Sequence, residues 1–140
     1  MPESLTPRFQ SANPTMPPRP TDAELAILKV LWDRGPSTVR QVFDAVAEER
    51  GTGYTTVLKL LQIMAEKHLV ARDESERTHV YRARMSQAET QRQLLDDLMD
   101  RAFGGSAMQL VMRALSGRRT SARDLAEIRR LLDQRDGGTR

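Results

Sequence analysis

The sequence contains no cysteine. That single absence removes disulfides, cysteine-bearing zinc sites and thiol catalysis. There is also no apolar run of the ~20 residues that a membrane helix needs, so no membrane insertion is expected. The first twenty residues, "MPESLTPRFQSANPTMPPRP", lack the apolar stretch of a secretory signal, and a cytoplasmic protein is the expectation. Proline is scarce beyond that point, since six of the seven prolines fall within residues 1–20. With few large apolar residues beside them, residues 1–20 read as a disordered leader. Met16 is an alternative start of translation. A strong charge of one sign is missing too. The formal charge is +3, and residues 21–85 hold ten Lys/Arg against ten Asp/Glu. Net charge therefore argues weakly for an acidic partner, and its distribution matters more. Asp44, Glu48 and Glu49 lie together, while Lys59, Lys67, Arg72, Arg77, Arg82 and Arg84 follow.

What is present is a succession of amphipathic segments. The length of 140 residues suits one domain, or a small domain with an extension. "TDAELAILKVLWDRG" opens with a capping box, Thr21 and Glu24, and closes at Gly35-Pro36. Its Leu25, Leu28 and Trp32 share a face, with Ile27 and Leu31 beside them. "STVRQVFDAVAEERG" is capped by Ser37 or Thr38 and places Val39, Val42, Phe43, Val46 and Ala47 at helical spacing. "YTTVLKLLQIM" is a third helix, capped by Thr52 or Thr55. Val57, Leu60, Leu61, Met64 and Ala65 form its apolar side, and Thr55, Lys59 and Gln62 centre on the other, flanked by Thr56 and Ile63.

After His68 the period shortens to two. "LVARDESERTHVYRAR" reads as a hairpin, Leu69 to Asp73 and Thr78 to Arg84 around a turn. Three more helices follow. The first starts at Ser86, with Glu89 completing a capping box, and ends at Gly104-Gly105; Leu94, Leu95, Leu98, Ala102 and Phe103 line it. Ala107, Leu110, Val111, Ala114 and Leu115 line the second. The third pairs Ser121 with Asp124 and presents Leu125, Ile128, Leu131 and Leu132. Three amphipathic helices without a sheet tend to bury their faces against another chain.

Three short helices and a hairpin define a winged helix-turn-helix, in which the third helix enters the major groove of double-stranded DNA. The expected fold is mainly α: a winged helix over 21–85, a three-helix dimerisation domain over 86–136, and a disordered tail over 137–140. Thr55, Thr56 and Lys59 suit phosphate oxygens near a helix start. Gln62 suits the paired hydrogen bonds of an adenine, and Ile63 a thymine methyl. Arg77, at the hairpin tip, and Arg82, on its return strand, suit phosphates flanking the groove. Leu95, Leu98, Phe103, Leu110, Val111, Leu125 and Ile128 are the expected dimer core.

The stretch "PTDAELAILKVLWDRGPSTVRQV…YTTVLKLLQIMAEKHLVARDESERTHVYRA…LLDDLMDRAFGGSAMQLV" resembles the penicillinase-repressor family (BlaI/MecI/CopY). The likeness runs from Thr21 to about Asp133. The "TDAEL.IL..LW..GP" opening, the "YTTV..LL" helix and the "FGGS" junction carry it. The resemblance implies a homodimeric repressor on palindromic operators of β-lactamase-type or related operons. It also implies release through a membrane-bound sensor metallopeptidase and cleavage of the repressor. The copper-responsive branch carries a Cys-x-Cys site that this chain lacks. The cleaved branch has Asn-Phe where Ala102-Phe103 stands here, which makes Ala102-Phe103 the candidate cleavage site. Many relatives have arginine in place of Ile63.

Other constellations are weaker. His68 and His79, with Asp73, Glu74 and Glu76, match no zinc spacing. No nucleophile elbow accompanies the serines. Met99, Met108 and Met112 read as helix packing. Neither an enzyme nor a cofactor is expected. "SGRRTSARD" gathers Arg118, Arg119 and Arg123 in a solvated turn, with a second phosphate contact as the sharper alternative. The competing reading from another class is a helical module whose winged helix binds protein rather than DNA, kept open by the zero net charge of 21–85. A metal-responsive regulator is disfavoured by two histidines and no cysteine.

Overall fold

In the computed structural model, which describes residues 17–117 and 119–138, the elements follow one another as α1 (Asp22–Arg34), β1 (Ser37–Thr38), α2 (Val39–Arg50), α3 (Tyr54–Glu66), β2 (Val70–Asp73), β3 (Val80–Ala83), α4 (Gln87–Ala102), α5 (Ala107–Leu115) and α6 (Ala122–Gly138). Side-chain caps set most helix starts. The Thr21 hydroxyl accepts from the Glu24 N–H, and the Glu24 carboxylate accepts from the Thr21 N–H. Thr38 and Gln41 repeat this reciprocal box at α2, and Ser86 with Glu89 at α4. Each cap supplies acceptors to amides that the first turn leaves unpaired. The third helix departs from expectation. Its N-cap is Gly53, with no side-chain bond, rather than Thr52 or Thr55. Thr55 already lies inside the helix, so its hydroxyl is not placed to cap.

The chain separates into two units, Met1–Leu94 and Leu95–Arg140. In the first, α1, α2 and α3 pack with the sheet around Ile27, Leu28, Leu31, Val39, Val42, Val46, Val57, Leu61, Met64, Leu69, Val70 and Tyr81. Val42, Val57, Leu61 and Met64 are fully enclosed. Burying side chains of this size stabilises by about 1.5–3 kcal/mol each. On α1 the innermost residues are Ile27, Leu28 and Leu31, while Leu25 and Trp32 are half-buried. The indole N–H of Trp32 instead donates to the Met85 carbonyl at 2.9 Å, holding the chain between β3 and α4 against α1.

The sheet is antiparallel with the order β1-β3-β2. Val70 pairs with Ala83 and Asp73 with Val80 across the hairpin. Ser37 and Thr38 pair with Tyr81 and Val80 on the far side. This third strand escaped the periodicity because two residues are too few to show a period. It forms because the α1–α2 connection can pair its backbone groups with the free edge of β3.

Residues 17–20 correct the expected leader boundary. Pro17 and Pro20 are buried, and the Pro17 carbonyl accepts from Gln93 Nε2 at 2.7 Å. Proline brings no backbone N–H that burial would strand, so such a segment can pack without a sheet partner. The rest of the leader (1–16), Arg118 and residues 139–140 lie outside the described residues. α6 continues to Gly138, through the first two residues of the expected tail.

In the second unit, Gly104 (φ 58°) and Gly105 (φ 80°) end α4 in left-handed conformations that disfavour a side chain. The Gly105 N–H closes onto the Met99 carbonyl at 2.9 Å. The Ser106 hydroxyl accepts from the Gln109 N–H to start α5, and Ser121 with Asp124 forms a capping box at α6. Among the described residues of this unit none is buried.

Candidate nucleic-acid interface

The candidate interface is built on α3. Val57, Leu61 and Met64 anchor its inner side in the core. At 100° per residue this fixes the outer side, where Thr55, Thr56, Lys59 and Gln62 are all exposed and Ile63 is half-buried. A face left largely open to solvent keeps its donors and methyls available to a partner.

The far end of α3 is held by a partly buried ion pair. Glu24 is 2% exposed; its Oε2 accepts from Lys67 Nζ at 2.8 Å and its Oε1 from the Thr21 N–H at 2.9 Å. Burial alone would raise the Glu24 carboxyl, but the Lys67 ammonium and the Thr21 hydrogen bonds outweigh it and hold it below its usual 4.5. The first turn of α1 is thus tied to the end of α3. A capping-box acid is ordinarily a surface residue, and nothing in the local sequence marks a partner 43 positions away.

The helix then stops in an unusual way. His68 takes φ 66°, the left-handed region, and the Leu69 N–H reaches back to the Met64 carbonyl at 2.9 Å. That geometry is the glycine-favouring Schellman closure. It turns the chain directly into β2, which sets the hairpin beside α3. Within the hairpin, Arg72 pairs with Glu74 at 2.5 Å. The Ser75 N–H donates to Asp73 Oδ1 at 2.9 Å, which holds the Asp73 carboxyl below its usual range. Arg77 is exposed at the tip, and Arg82 is exposed on the central strand β3.

An aromatic contact absent from the sequence reading joins the start of α3 to α2. The Tyr54 and Phe43 rings meet edge to face, with centroids 5.6 Å apart and planes at 70°. The Arg40 guanidinium lies 5.8 Å from the Phe43 ring centre and 3.9 Å from Asp44. Tyr54 heads "YTTVLKLLQIM", and the helical wheel places it between Leu61 and Ala65 on the apolar side, so periodicity alone did not mark it as exposed. A groove of about 800 Å³ between α1 and α2, lined by Leu25, Val30, Trp32 and Glu49 among others, includes none of the candidate contact residues.

The model of the family described as penicillinase repressor matches residues 20–134. The chain belongs to the penicillinase-repressor family. Two curated relatives are each described as transcriptional regulator BlaI, from Mycobacterium tuberculosis strains CDC 1551 / Oshkosh and ATCC 25618 / H37Rv. Both are 44% identical over 61 residues, which is 43% of this chain and 44% of the relative. This penicillinase-repressor chain therefore matches under half the length of those relatives. Among solved structures it is similar to the DNA binding domain of the repressor BlaI, with 21% identity, a TM-score of 0.47 and coverage of 51% of this chain and 88% of that one. It is also similar to the CopR repressor, with 27% identity, a TM-score of 0.41 and coverage of 48% and 97%. The curated relatives are regulators rather than enzymes.

The residues expected to form a dimer core fall in the second unit. Leu95, Leu98, Val111 and Leu125 are 40–46% exposed, and Phe103, Leu110 and Ile128 are half-buried. Met108 and Met112 are more exposed still, at 70% and 65%. Ala102 is the exposed last residue of α4, and Phe103 follows it in the turn. No helix among the described residues is long and apolar enough to cross a membrane.

Proposed function

We propose that this chain is a cytoplasmic, homodimeric, DNA-binding transcriptional repressor that recognises palindromic operators. In this reading α3 enters the major groove and the hairpin is the wing. Thr55, Thr56 and Lys59 meet phosphates, Gln62 reads an adenine, and Ile63 contacts a thymine methyl. Arg77 and Arg82 meet phosphates beside the groove. The observation that carries the reading is the sidedness of α3, with Val57, Leu61 and Met64 buried and Thr55, Thr56, Lys59 and Gln62 exposed, inside three helices and a hairpin. Family membership supports it, as do relatives whose names say transcriptional regulator.

The dimer rests on α4, α5 and α6, whose apolar residues stay exposed in the single chain. Induction runs through a membrane-bound sensor metallopeptidase and a cut at Ala102-Phe103. The operators belong to a β-lactamase-type or related operon.

Titration of labelled duplexes against salt tests the DNA reading. Lys59→Ala is expected to weaken binding to every sequence and to lower the salt slope by about one unit, the effect of one lost phosphate contact. Gln62→Ala is expected to cost about 1–3 kcal/mol at one base position of a selected operator and little on random DNA. Salt-independent binding, or none, would instead favour the protein-binding module that the balanced charge of residues 21–85 permits.

A further inference from the structure

We propose that Arg40 and Tyr54, coupled through Phe43, form a ledge beside the readout face of α3 that grips backbone phosphates of one DNA strand. The inference rests on the DNA reading above and adds contacts to it.

The ledge is a continuous stack across two helices. Tyr54 is the first residue of α3 and is 41% exposed. Its ring is fixed edge to face on Phe43, and Phe43 in turn lies under the Arg40 guanidinium. Tyr54 precedes Thr55 at the start of α3, on the side that meets α2 through Phe43. A DNA strand lying across the starts of α3 and α2 would therefore meet both Tyr54 and Arg40.

The chemistry suits phosphate. A tyrosine hydroxyl donates to phosphate oxygens, and arginine matches them with a planar fork. Both side chains are oriented before binding, so less freedom is lost on contact than for free surface chains. Edge-to-face and cation–π contacts are the restraints here. Asp44 is the near carboxylate, but its bond to Arg40 is long at 3.9 Å and both side chains are well exposed, 71% and 62%. Such a pair yields readily to a phosphate. The first turns of α2 and α3, like that of α5, contain no acidic residue, whereas α1, α4 and α6 carry Asp22 and Glu24, Glu89, and Asp124 there. A carboxylate is ordinarily favourable at a helix start. Its absence at the starts of α2 and α3 means that no first-turn carboxylate adds to the repulsion from Asp44.

The test uses the full chain and a fluorescently labelled 30-bp duplex of mixed sequence, since phosphate contacts do not depend on base identity. Arg40→Gln is expected to reduce the salt slope by about one unit. Tyr54→Phe retains the ring contact and loses the hydroxyl; binding is expected to weaken about 3- to 10-fold with the slope unchanged, because a neutral donor displaces no counterion. Phe43→Leu is expected to weaken binding without changing charge, and thermal melting checks that each variant is folded. Lys59→Ala separates the two levels of the argument. If Lys59→Ala weakens binding while Arg40→Gln and Tyr54→Phe match the parent in affinity and slope, the ledge is wrong and the DNA reading stands. If the parent itself does not bind the duplex, both fail.

Discussion

Glu24 shows how one side chain can serve two structural ends. As a capping residue it could be exchanged for glutamine with little loss, since the amide oxygen still accepts from Thr21. As the partner of Lys67 it cannot, because the exchange leaves an ammonium half-buried without its counter-charge. Glu24→Gln is therefore expected to destabilise the first unit by about 1–3 kcal/mol at pH 7, short of a fully buried pair because Lys67 retains some solvent. The sign with pH follows from the lowered carboxyl. A depressed acid contributes stability above its unfolded value near 4.5, and loses it as pH falls through the lower folded value. Urea unfolding at pH 7 and pH 3 checks this: the gap between parent and variant should narrow in acid, and a constant gap would show that packing, not charge, is responsible. His68 is the complementary case, a side chain that costs stability. At φ 66° it occupies a left-handed position where glycine is preferred. His68→Gly is expected to stabilise by about 0.5–1 kcal/mol after the entropy glycine adds to the unfolded chain. An unchanged or lower melting midpoint would mean that the imidazole makes a compensating contact.

At the scale of the element, the wing tests how far rigidity matters for contact. Arg82 lies on β3, which is paired on both sides by β1 and β2. Arg77 lies in the tip, next to Glu76 and close in sequence to Asp73 and Glu74. An arginine on a fixed strand loses less freedom on meeting a phosphate than one on a mobile turn, and the carboxylates oppose the tip. Arg82→Ala is thus expected to weaken DNA binding more than Arg77→Ala, each lowering the salt slope by at most about one unit. The reverse order in a titration would place the tip, not the strand, against the backbone. The central role of β3 was only half legible in the sequence. Alternation in "HVYRA" marked a strand, as the 3.6-residue spacing marked all six helices and the Thr21, Ser86 and Ser121 boxes marked three of their starts. Such signals are local, and the chain carries them in consecutive residues. Ser37–Thr38, the Glu24–Lys67 pair, the Trp32–Met85 hydrogen bond and the Phe43–Tyr54 contact are not local. Each joins residues far apart in sequence, and no period or short motif encodes distance in space. The readout face of α3 was legible because burying Val57, Leu61 and Met64 dictates which residues remain outside. Tyr54 was not, since its place depends on where α2 lies.

At the scale of the molecule, the two units differ in how they are stabilised. The first encloses twelve apolar residues. The second encloses none among its described residues, and leaves Leu95, Leu98, Val111, Leu125, Leu131 and Leu132 at 40–58% exposure. The end of α4 beyond Leu94 and the helices of 9 and 17 residues that follow are marginal in water without tertiary burial. A second copy of the chain is the cover proposed for them. One winged helix binds weakly at physiological salt, and a linked pair on one palindrome gains effective concentration without a new contact. Half-sites should then lie about 10 bp apart or a multiple of it. Leu98→Asp is the sharpest probe. Position 98 is 45% exposed in the single chain, so a carboxylate there costs the free protomer little. In a dimer core the same carboxylate would be buried without a partner. Sedimentation is expected to show monomers for Leu98→Asp, with the melting of the first unit unchanged and operator affinity reduced by an order of magnitude or more. A fragment ending at Ala102 should behave alike, because it keeps the enclosed core and loses α5 and α6. Release from DNA would then be loss of pairing, with α3 itself unaltered. A fragment that remains dimeric and binds a selected operator as tightly as the whole chain would remove both the interface and the release mechanism. A Leu98→Asp variant that stays dimeric would remove the interface alone.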